Sequence, residues 1–332
     1  MSEFSFVTTK TPLRITFTGG GTDIMDYYRN YGPGAVVSAT INKYIYVTVA
    51  KNFYTDEIRV SYSKNEDGVK SVEVIEHPTV REALRMLGIK GGVQIVSIGE
   101  VPSQGTGLGS SSSFLVGLLH ALHTWLGESV SQEQLAREAF HIEREVLKEE
   151  GGKQDQYIAA YGGIRLMEFN KDESVSMKLV TLSKGKLELL QSSLVMFYTG
   201  KQRDSTTIHK QQARKVVEKV EIYNQMRDIA YKTYEAIARC DIEELGRLMD
   251  ENWQLKKQLA EGISDPMIDS YYEKAVKAGA IGGKILGAGG GGFLLFVAPH
   301  EKHANIASAL QLRHEPFKLD PLGSRIVSLE GE

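Results

Sequence analysis

Through the first half of the chain, apolar residues alternate with polar ones or run together in short β-branched and aromatic stretches. Segments FVTTK (6–10), LRITF (13–17), AVVSATI (35–41), KYIYVTVAK (43–51) and VQIVSI (93–98) predict strands. IRVSYS (58–63) and SVEVIE (71–76) predict a hairpin turned by KNEDG, and HPTVREALRMLG (77–88) a short helix closed by Gly88. FLVGLLHALHTWLG (114–127) reads as a buried helix. SQEQLAREAFHIEREVLKEE (131–150) reads as an amphipathic one, with Ser131 as N-cap and Gln134 in the capping-box position. IRLMEF (164–169) and VSMKLV (175–180) predict two more strands, and SSLVMFYTG (192–200) a strand running into a turn.

Helical spacing then takes over, from Ser205 to about Cys240, from Asp241 to about Gly262 and from Asp265 to Ala278, with Pro266 in a first turn. AIGGKILGAGGGGFLLFVAP (280–299) predicts two strands around a glycine run. A helix over 301–312 and a strand near RIVSLE (325–330) close the chain. The pattern divides into residues 1–180 and 181–332, both α+β, with the closing strand expected in the second unit. A length of 332 residues suits two domains.

Composition narrows the partners. A net charge of −3 with no basic run argues against nucleic acid. The single cysteine, Cys240, forms no intramolecular disulfide, which suits a reducing cytoplasm. MSEFSFVTTKTPLR carries acidic Glu3 and lacks the long apolar core of a signal peptide. The apolar run 114–127 is too short to span a bilayer, so no membrane partner is expected. Nothing in the pattern indicates an oligomer.

Candidate chemistry sits in three glycine-rich segments. In VPSQGTGLGSSSSFLVGLLHAL (101–122), Gly105, Gly107 and Gly109 precede four serines and an apolar helix. Glycines let backbone N–H groups crowd an anion, and a helix N-terminus adds positive partial charge, so a phosphate is expected there. A P-loop would need a lysine after Gly109, where Ser110 stands. A dinucleotide fingerprint would need G-x-G-x-x-G directly after the strand, whereas this loop is G-x-G-x-G and displaced from it. A flexible linker is at odds with the apolar helix that follows. The second segment, GAGGGG (287–292), holds more glycine than a hairpin needs, as if for close approach to a ligand or another loop. The third, PLRITFTGGGTD (12–23), combines Arg14, a glycine turn and Asp23, the last of which could equally cap a following helix.

In this order the three segments resemble the galactokinase, homoserine kinase, mevalonate kinase and phosphomevalonate kinase (GHMP) superfamily: its Pro-x-Arg start, its Gly-Leu-Gly-Ser-Ser phosphate loop and its Gly-Ala-Gly-Gly-Gly loop. TFTGGGTDIMDYYRNYG, ATINKYIYVTV, HIEREVL with GGKQDQYIAAYGG, and FYTGKQRDST are similar to its bacterial D-glycero-D-manno-heptose 7-phosphate kinase branch. Fucose- and galactose-type sugar kinases, or a catalytically silent sugar or nucleotide sensor, are the alternatives. The resemblance implies a two-domain α+β fold, with a ribosomal-protein-S5-like N-terminal domain and a ferredoxin-like C-terminal one. It implies ATP and Mg2+ as cofactors and a small sugar phosphate as acceptor.

By the same resemblance, Gly105, Thr106, Gly107, Leu108, Gly109, Ser110, Ser111 and Ser112 wrap the ATP phosphates, and Ser111 and Glu143 hold magnesium. Asp155 receives the proton of the anomeric hydroxyl or orients it, and Arg14 keeps Asp155 ionised and stabilises the moving phosphoryl group. Asp23, Gly21, Thr22, Gly152 and Lys153 face the sugar, and Gly20-Gly21 replaces the Glu-His that galactokinases carry. A substrate phosphate needs a further cation, for which Arg203 is preferred over Lys153, Lys201 and Lys210, although each could equally be a surface charge. Gly287, Gly289, Gly290 and Gly291 support the phosphate loop. His120 and His123 share a helix face and read as packed residues without a third metal ligand.

Overall fold

The computed structural model describes residues 3–101, 105–201 and 206–331. Two sheets organise the chain. The larger contains β1 (Phe4–Thr18), β2 (Gly34–Lys51), β3 (Ile58–Ser61), β4 (Asn65–Val69), β5 (Val93–Gly99), β6 (Ile164–Phe169) and β7 (Val175–Leu179). The smaller is antiparallel, in the order β11 (Arg313–His314), β8 (Leu194–Tyr198), β10 (Phe293–Val297), β9 (Gly282–Ile285). Both units are α+β, as the pattern implies.

The closing strand β12 (Arg325–Gly331) departs from the expected grouping. It pairs antiparallel with β1, so the chain returns to the larger sheet instead of finishing in the smaller one. Its alternation is equally compatible with either sheet edge, and sequence pattern alone does not choose between them.

β1 and β2 are each one long strand where the sequence suggested two. Pro12, which looks like a break, sits at a register shift in the β1–β2 ladder, where a missing N–H is tolerated. β2 changes neighbours along its length: Gly34 to Ala39 pairs with β6, and Ile45 to Lys51 with β5. The expected hairpin partner is also different. β3 pairs with NEDGV, while Val72–Val74 forms a 3-10 turn. Glu66 explains this: its carboxylate folds in to accept the N–H groups of Glu76 (2.6 Å) and His77 (3.1 Å), drawing 71–76 into a turn.

Helices α1 (Met25–Tyr31), α2 (Pro78–Met86), α3 (Ser110–Trp125), α4 (Gln132–Phe140) and α5 (Gln154–Tyr161) accompany the larger sheet. α3 lies across β1 and β2 with Leu115, Leu118, Leu119 and Leu122 fully buried. Ser131 caps α4 through the Gln134 N–H (3.1 Å), but the Gln134 amide donates to Glu138, so only half the capping box forms. The expected long helix stops early. After Phe140 it widens into a π-helical turn, His141–Val146.

The second unit adds α6 (Lys184–Ser192), α7 (Thr206–Arg214), α8 (Val216–Arg239), α9 (Ile242–Lys256), α10 (Pro266–Lys277) and α11 (His303–Leu310). α8 packs on α9, and both reach back to β1, which brings the two units together around the loops at the ends of β1 and β9. Among the described residues no helix is long and apolar enough to cross a membrane.

Candidate active site

β1 carries Arg14 to the side of the cleft formed by the 105–112 loop. Its backbone N–H donates to the Leu108 carbonyl (3.0 Å), and its Nη1 donates to the Gly107 carbonyl. α5 starts just after Gly151-Gly152 and presents Asp155 in its first turn. Arg14 Nε reaches Asp155 Oδ1 at 2.8 Å, and Nη2 reaches Oδ2 at 2.7 Å. Burial pushes the Asp155 carboxyl up, but the guanidinium charge and its hydrogen bonds outweigh this and hold it below the ordinary carboxylate range. Asp155 keeps 22% of its side-chain surface open, while Arg14 keeps 6%.

Asp23 is no cap for α1. Its Oδ1 accepts from the Gly21 N–H (2.9 Å) and its Oδ2 from the Gln154 N–H (3.1 Å), so it ties the glycine turn to the start of α5. Gly152 is the residue that permits this. A Cβ at that position would lie 1.8 Å from Asp23 Oδ2. Thr22 is fully buried and donates to the Gly19 and Ala35 carbonyls, so it shapes the turn instead of facing the cleft.

Lys153, expected at the sugar, points elsewhere. Its ammonium binds Glu173 Oε2 (2.7 Å) and stands over the Phe140 and Tyr28 rings, with the side chain 4% exposed. A buried ammonium has to be hydrogen-bonded, and Glu173 satisfies this one with a carboxylate away from the cleft. Lys201 is likewise paired, with Asp265 at 2.6 Å. Arg203 lies outside the described residues. Lys210 lines the cleft.

Two cavities meet at the Arg14–Asp155 pair. A small one of about 60 Å³ is lined by Thr16, Gly20, Gly21, Asp23, Gln154 and Gln212. A larger one of about 740 Å³ is bordered by Gly105, Thr106, Gly107, Gly109, Ser110 and Ser111. Its size falls in the range of roughly 300–1,000 Å³ usual for small-molecule sites. Arg14, Asp155, Arg144, His209, Gly287 and Ala288 line both.

The glycine run 287–292 touches the 105–112 loop and its neighbours directly. Cβ atoms at Gly107 and Gly287 would collide with the opposite backbone, at 2.4 Å from the Leu286 carbonyl and 2.6 Å from Gly107 Cα. Gly289 and Gly291 crowd the carbonyls of Ile263 and Lys201, and the Gly290 N–H donates to Ile263 (2.9 Å). The run meets other loops, and Gly287, Ala288, Gly289 and Gly291 also border the larger cavity, so its composition serves loop contact without excluding approach to a ligand.

α3 begins at Ser110, so its N-terminus opens on the larger cavity. Leu108 is buried in the core and takes part in the loop through its carbonyl. Ser111 is exposed to the cavity, but it is Ser112 that donates to Glu143 Oε2 (2.8 Å), alongside the Gln156 amide. Among the described residues no group of three or more His, Cys, Asp or Glu could hold a metal ion. A serine hydroxyl and a carboxylate are oxygen donors of the kind Mg2+ takes. Of Ser111 and Glu143, however, only Ser111 borders the larger cavity, whereas Glu143 is 2% exposed, lines neither cavity and already accepts from Ser112 and Gln156.

Sequence reasoning missed four cationic or titratable residues. Lys284 lies on β9, fully buried, its Nζ donating to the Thr16 carbonyl (3.3 Å); a lysine inside an apolar strand was a readable signal. Lys256 ends α9, donates to the Gly287 carbonyl (2.7 Å), and is pushed down to about 8, chiefly by burial. His209 is pushed down to about 4 by burial and by the charges of Lys256 and Arg144. Arg144 comes from the π-helical turn, next to Glu143. His120 pairs with Ser324 (3.0 Å), and His123 is clamped between Glu128 (2.6 Å) and Glu138 (2.7 Å), both packed as expected.

Comparison with known proteins adds to this geometry. Residues 73–163 match the model of the GHMP kinases N terminal domain, and residues 233–314 that of the GHMP kinases C terminal domain. The chain is 30% identical to D-glycero-alpha-D-manno-heptose 7-phosphate kinase of Campylobacter jejuni, over 92% of this chain and 93% of that one. It is similar to the crystal structure of a D-glycero-D-manno-heptose 1-phosphate kinase from Bacteroides thetaiotaomicron, with TM-score 0.80 and 26% identity over 97% and 99% of the two chains. Lactococcus lactis galactokinase, solved with galactose, shares the fold at TM-score 0.76 and 17% identity, over 96% of this chain and 95% of that one.

Proposed function

The chain belongs to the GHMP kinase family, and from that premise we propose that it phosphorylates the anomeric hydroxyl of D-glycero-D-manno-heptose 7-phosphate with ATP. The product would be the 1,7-bisphosphate, an intermediate toward nucleotide-activated heptose for surface polysaccharide, made in the cytoplasm where ATP is supplied. The observation that carries the reading is the Arg14–Asp155 pair at the meeting point of two cavities, one beside the glycine-serine loop. The similarity to a heptose 7-phosphate kinase along nearly the whole chain favours this sugar.

In this reading ATP lies in the larger cavity, with its phosphates against Gly105, Thr106, Gly107, Gly109, Ser110 and Ser111 and the N-terminus of α3. Leu108 and Ser112, expected there too, are buried away from it. The reacting end of the sugar enters the smaller cavity, which Asp23, Gly21 and Gln154 line, and the rest of the molecule extends toward the larger one. Asp155, ionised at neutral pH, accepts a hydrogen bond from the acceptor hydroxyl and takes its proton as the bond to phosphorus forms. Arg14 holds that carboxylate in place from the loop side. Ser111 and Glu143 would hold magnesium, which neutralises charge on the β- and γ-phosphates when bound. Residues 1–180 supply most of these groups. Residues 181–324 supply Lys256, Lys284 and the supporting glycine run.

The decisive experiment is ADP release with heptose 7-phosphate, sedoheptulose 7-phosphate, mannose, fucose and galactose as acceptors. Turnover with heptose 7-phosphate well above the rest is expected. Preference for fucose or galactose would assign another sugar 1-kinase, and ATP binding without turnover on any sugar would assign a sensor.

A further inference from the structure

The π-helical turn His141–Val146 places two consecutive charged residues, Glu143 and Arg144, inside the protein, with side chains 2% and 8% exposed. Widened turns of this kind recur at functional sites. The Arg144 guanidinium lies beside Gly151, where a Cβ would come within 2.8 Å of Nη2, and its Nε donates to the Gly152 carbonyl (3.3 Å). Glu143 and Glu149 approach Nη2 and Nη1 only to 3.7 Å, too far for hydrogen bonds. A guanidinium more than nine-tenths buried thus keeps its outer fork unengaged among the described residues, and it borders both cavities where they meet. Arg14, by contrast, already commits Nε and Nη2 to Asp155 and Nη1 to Gly107.

We propose that Arg144, and not the committed Arg14, is the catalytic arginine, donating to the equatorial oxygens of the phosphoryl group as it crosses from ATP to the sugar. The inference rests on the kinase reading given above. In the step, the anomeric oxygen forms a bond to the γ-phosphorus while the bond from that phosphorus to the β–γ bridging oxygen breaks. The electron pair of the broken bond leaves with ADP, and the hydroxyl proton passes to Asp155 and then to solvent. Charge spread over the three equatorial oxygens is what a planar, uncommitted fork stabilises. Donors whose hydrogen bonds strengthen toward the transition state act on kcat more than on KM.

The test compares the full chain with its Arg144→Gln and Arg144→Lys variants in steady-state kinetics with ATP and heptose 7-phosphate. Calorimetric titration with ADP alone, and with ADP plus aluminium fluoride and acceptor, accompanies the kinetics. Arg144→Gln is expected to lower kcat by about 10²–10³-fold, with both KM values changed only a few-fold. Affinity for the aluminium fluoride complex should fall by a similar factor while ADP affinity holds, and Arg144→Lys should recover part of both. A raised KM for the sugar with kcat unchanged would overturn the proposal and assign Arg144 to acceptor binding. Equal losses for ADP and for the aluminium fluoride complex, with a lowered unfolding temperature, would reduce it to a support for Gly151-Gly152. Wild-type protein that turns over while Arg144→Gln matches it defeats this inference alone. Wild-type protein silent on every sugar defeats the kinase reading itself.

Discussion

Arg14 and Asp155 form a two-point ion pair, 2.8 and 2.7 Å long, against which Gly109 of the phosphate loop packs so closely that a Cβ would stand 3.3 Å from the carboxylate. The partners come from β1 and the first turn of α5, 141 residues apart, and the loop closes over them from a third direction. Such a pair is oriented before any ligand arrives, which spares the reaction that reorganisation.

Asp155→Asn keeps the side chain's shape but removes its charge. Turnover should fall by about 10²–10⁴-fold, the usual contribution of a positioned base, while ATP affinity changes only a few-fold. ADP release and a nucleotide titration read the two quantities separately. Near-normal turnover in this variant would take Asp155 out of the reaction.

The lowered Asp155 carboxyl carries a pH signature of its own. A depressed folded-state value makes its contribution present above the ordinary carboxylate range and lost only as pH falls through the lower, folded value. The acid limb of kcat/KM should therefore lie below that ordinary range, and an acid limb within or above it would contradict the pairing.

Gly152→Ala tests the seat of the sugar. The added methyl would meet Asp23 Oδ2 at 1.8 Å, so Asp23 must move and release the N–H of Gln154 or Gly21. A displacement of about 1 Å in a positioning residue costs up to about 10²-fold, expected here in kcat/KM for the sugar with the KM for ATP little changed. An unchanged kcat/KM for the sugar would remove Asp23 from its recognition.

Much of this site was legible in the sequence, and the reason is local. The glycines of the 105–112 loop signal backbone turned toward an anion, whereas Arg14, Asp23 and Asp155 stand in short segments that resemble the motifs of a family, and it is the resemblance that gives them roles. The cations brought in from a distance were not legible. Lys256 closes an amphipathic helix, where a lysine normally meets solvent, and Arg144 stands in a run of glutamates that reads as a solvated face. What buries them is the approach of the second unit and one widened helical turn, and neither leaves a periodic trace. Lys153 failed in the opposite sense: it adjoins the site in sequence, but the turn at Gly152 sends its side chain to Glu173.

Glu143→Gln isolates the metal expectation. The amide oxygen can still accept from Ser112 and Gln156, so the fold should lose only about 1 kcal/mol, whereas a metal ligand loses its charge. The magnesium concentration for half-maximal activity should rise about tenfold or more, a change of about 1.4 kcal/mol or more in metal affinity. An unaltered magnesium curve would show that Glu143 serves the packing of α3 against α5 instead.

His123 makes a stability prediction far from the cleft. Its ring joins Glu128 and Glu138, linking the end of α3 to α4; burial lowers its pKa, but the two carboxylates outweigh that and raise it overall. A raised folded-state value means the contribution is fully present below the unfolded value near 6.5 and is lost as pH rises through the folded one. The wild-type unfolding temperature should fall across that window relative to His123→Gln. Parallel curves for the two proteins would mean that the histidine stays neutral.

Lys256 sets the alkaline side of activity. Burial pushes its ammonium down to about 8, with Arg14 adding repulsion and Asp23 and Asp155 resisting. Its Nζ holds the Gly287 carbonyl at 2.7 Å, on the run that contacts Gly107, and the residue lines the smaller cavity. A lysine attracts phosphoryl oxygens only while charged, so kcat/KM should decline as pH rises through about 8, where the free enzyme loses that proton. Lys256→Arg keeps a charge that does not titrate in this range and should move the decline to higher pH, even if its bulk lowers the plateau. Lys256→Met should flatten the alkaline limb at a reduced rate across the whole profile. If all three proteins share one alkaline limb near pH 8, the titrating group is another residue, and Lys256 serves to hold the two glycine loops together.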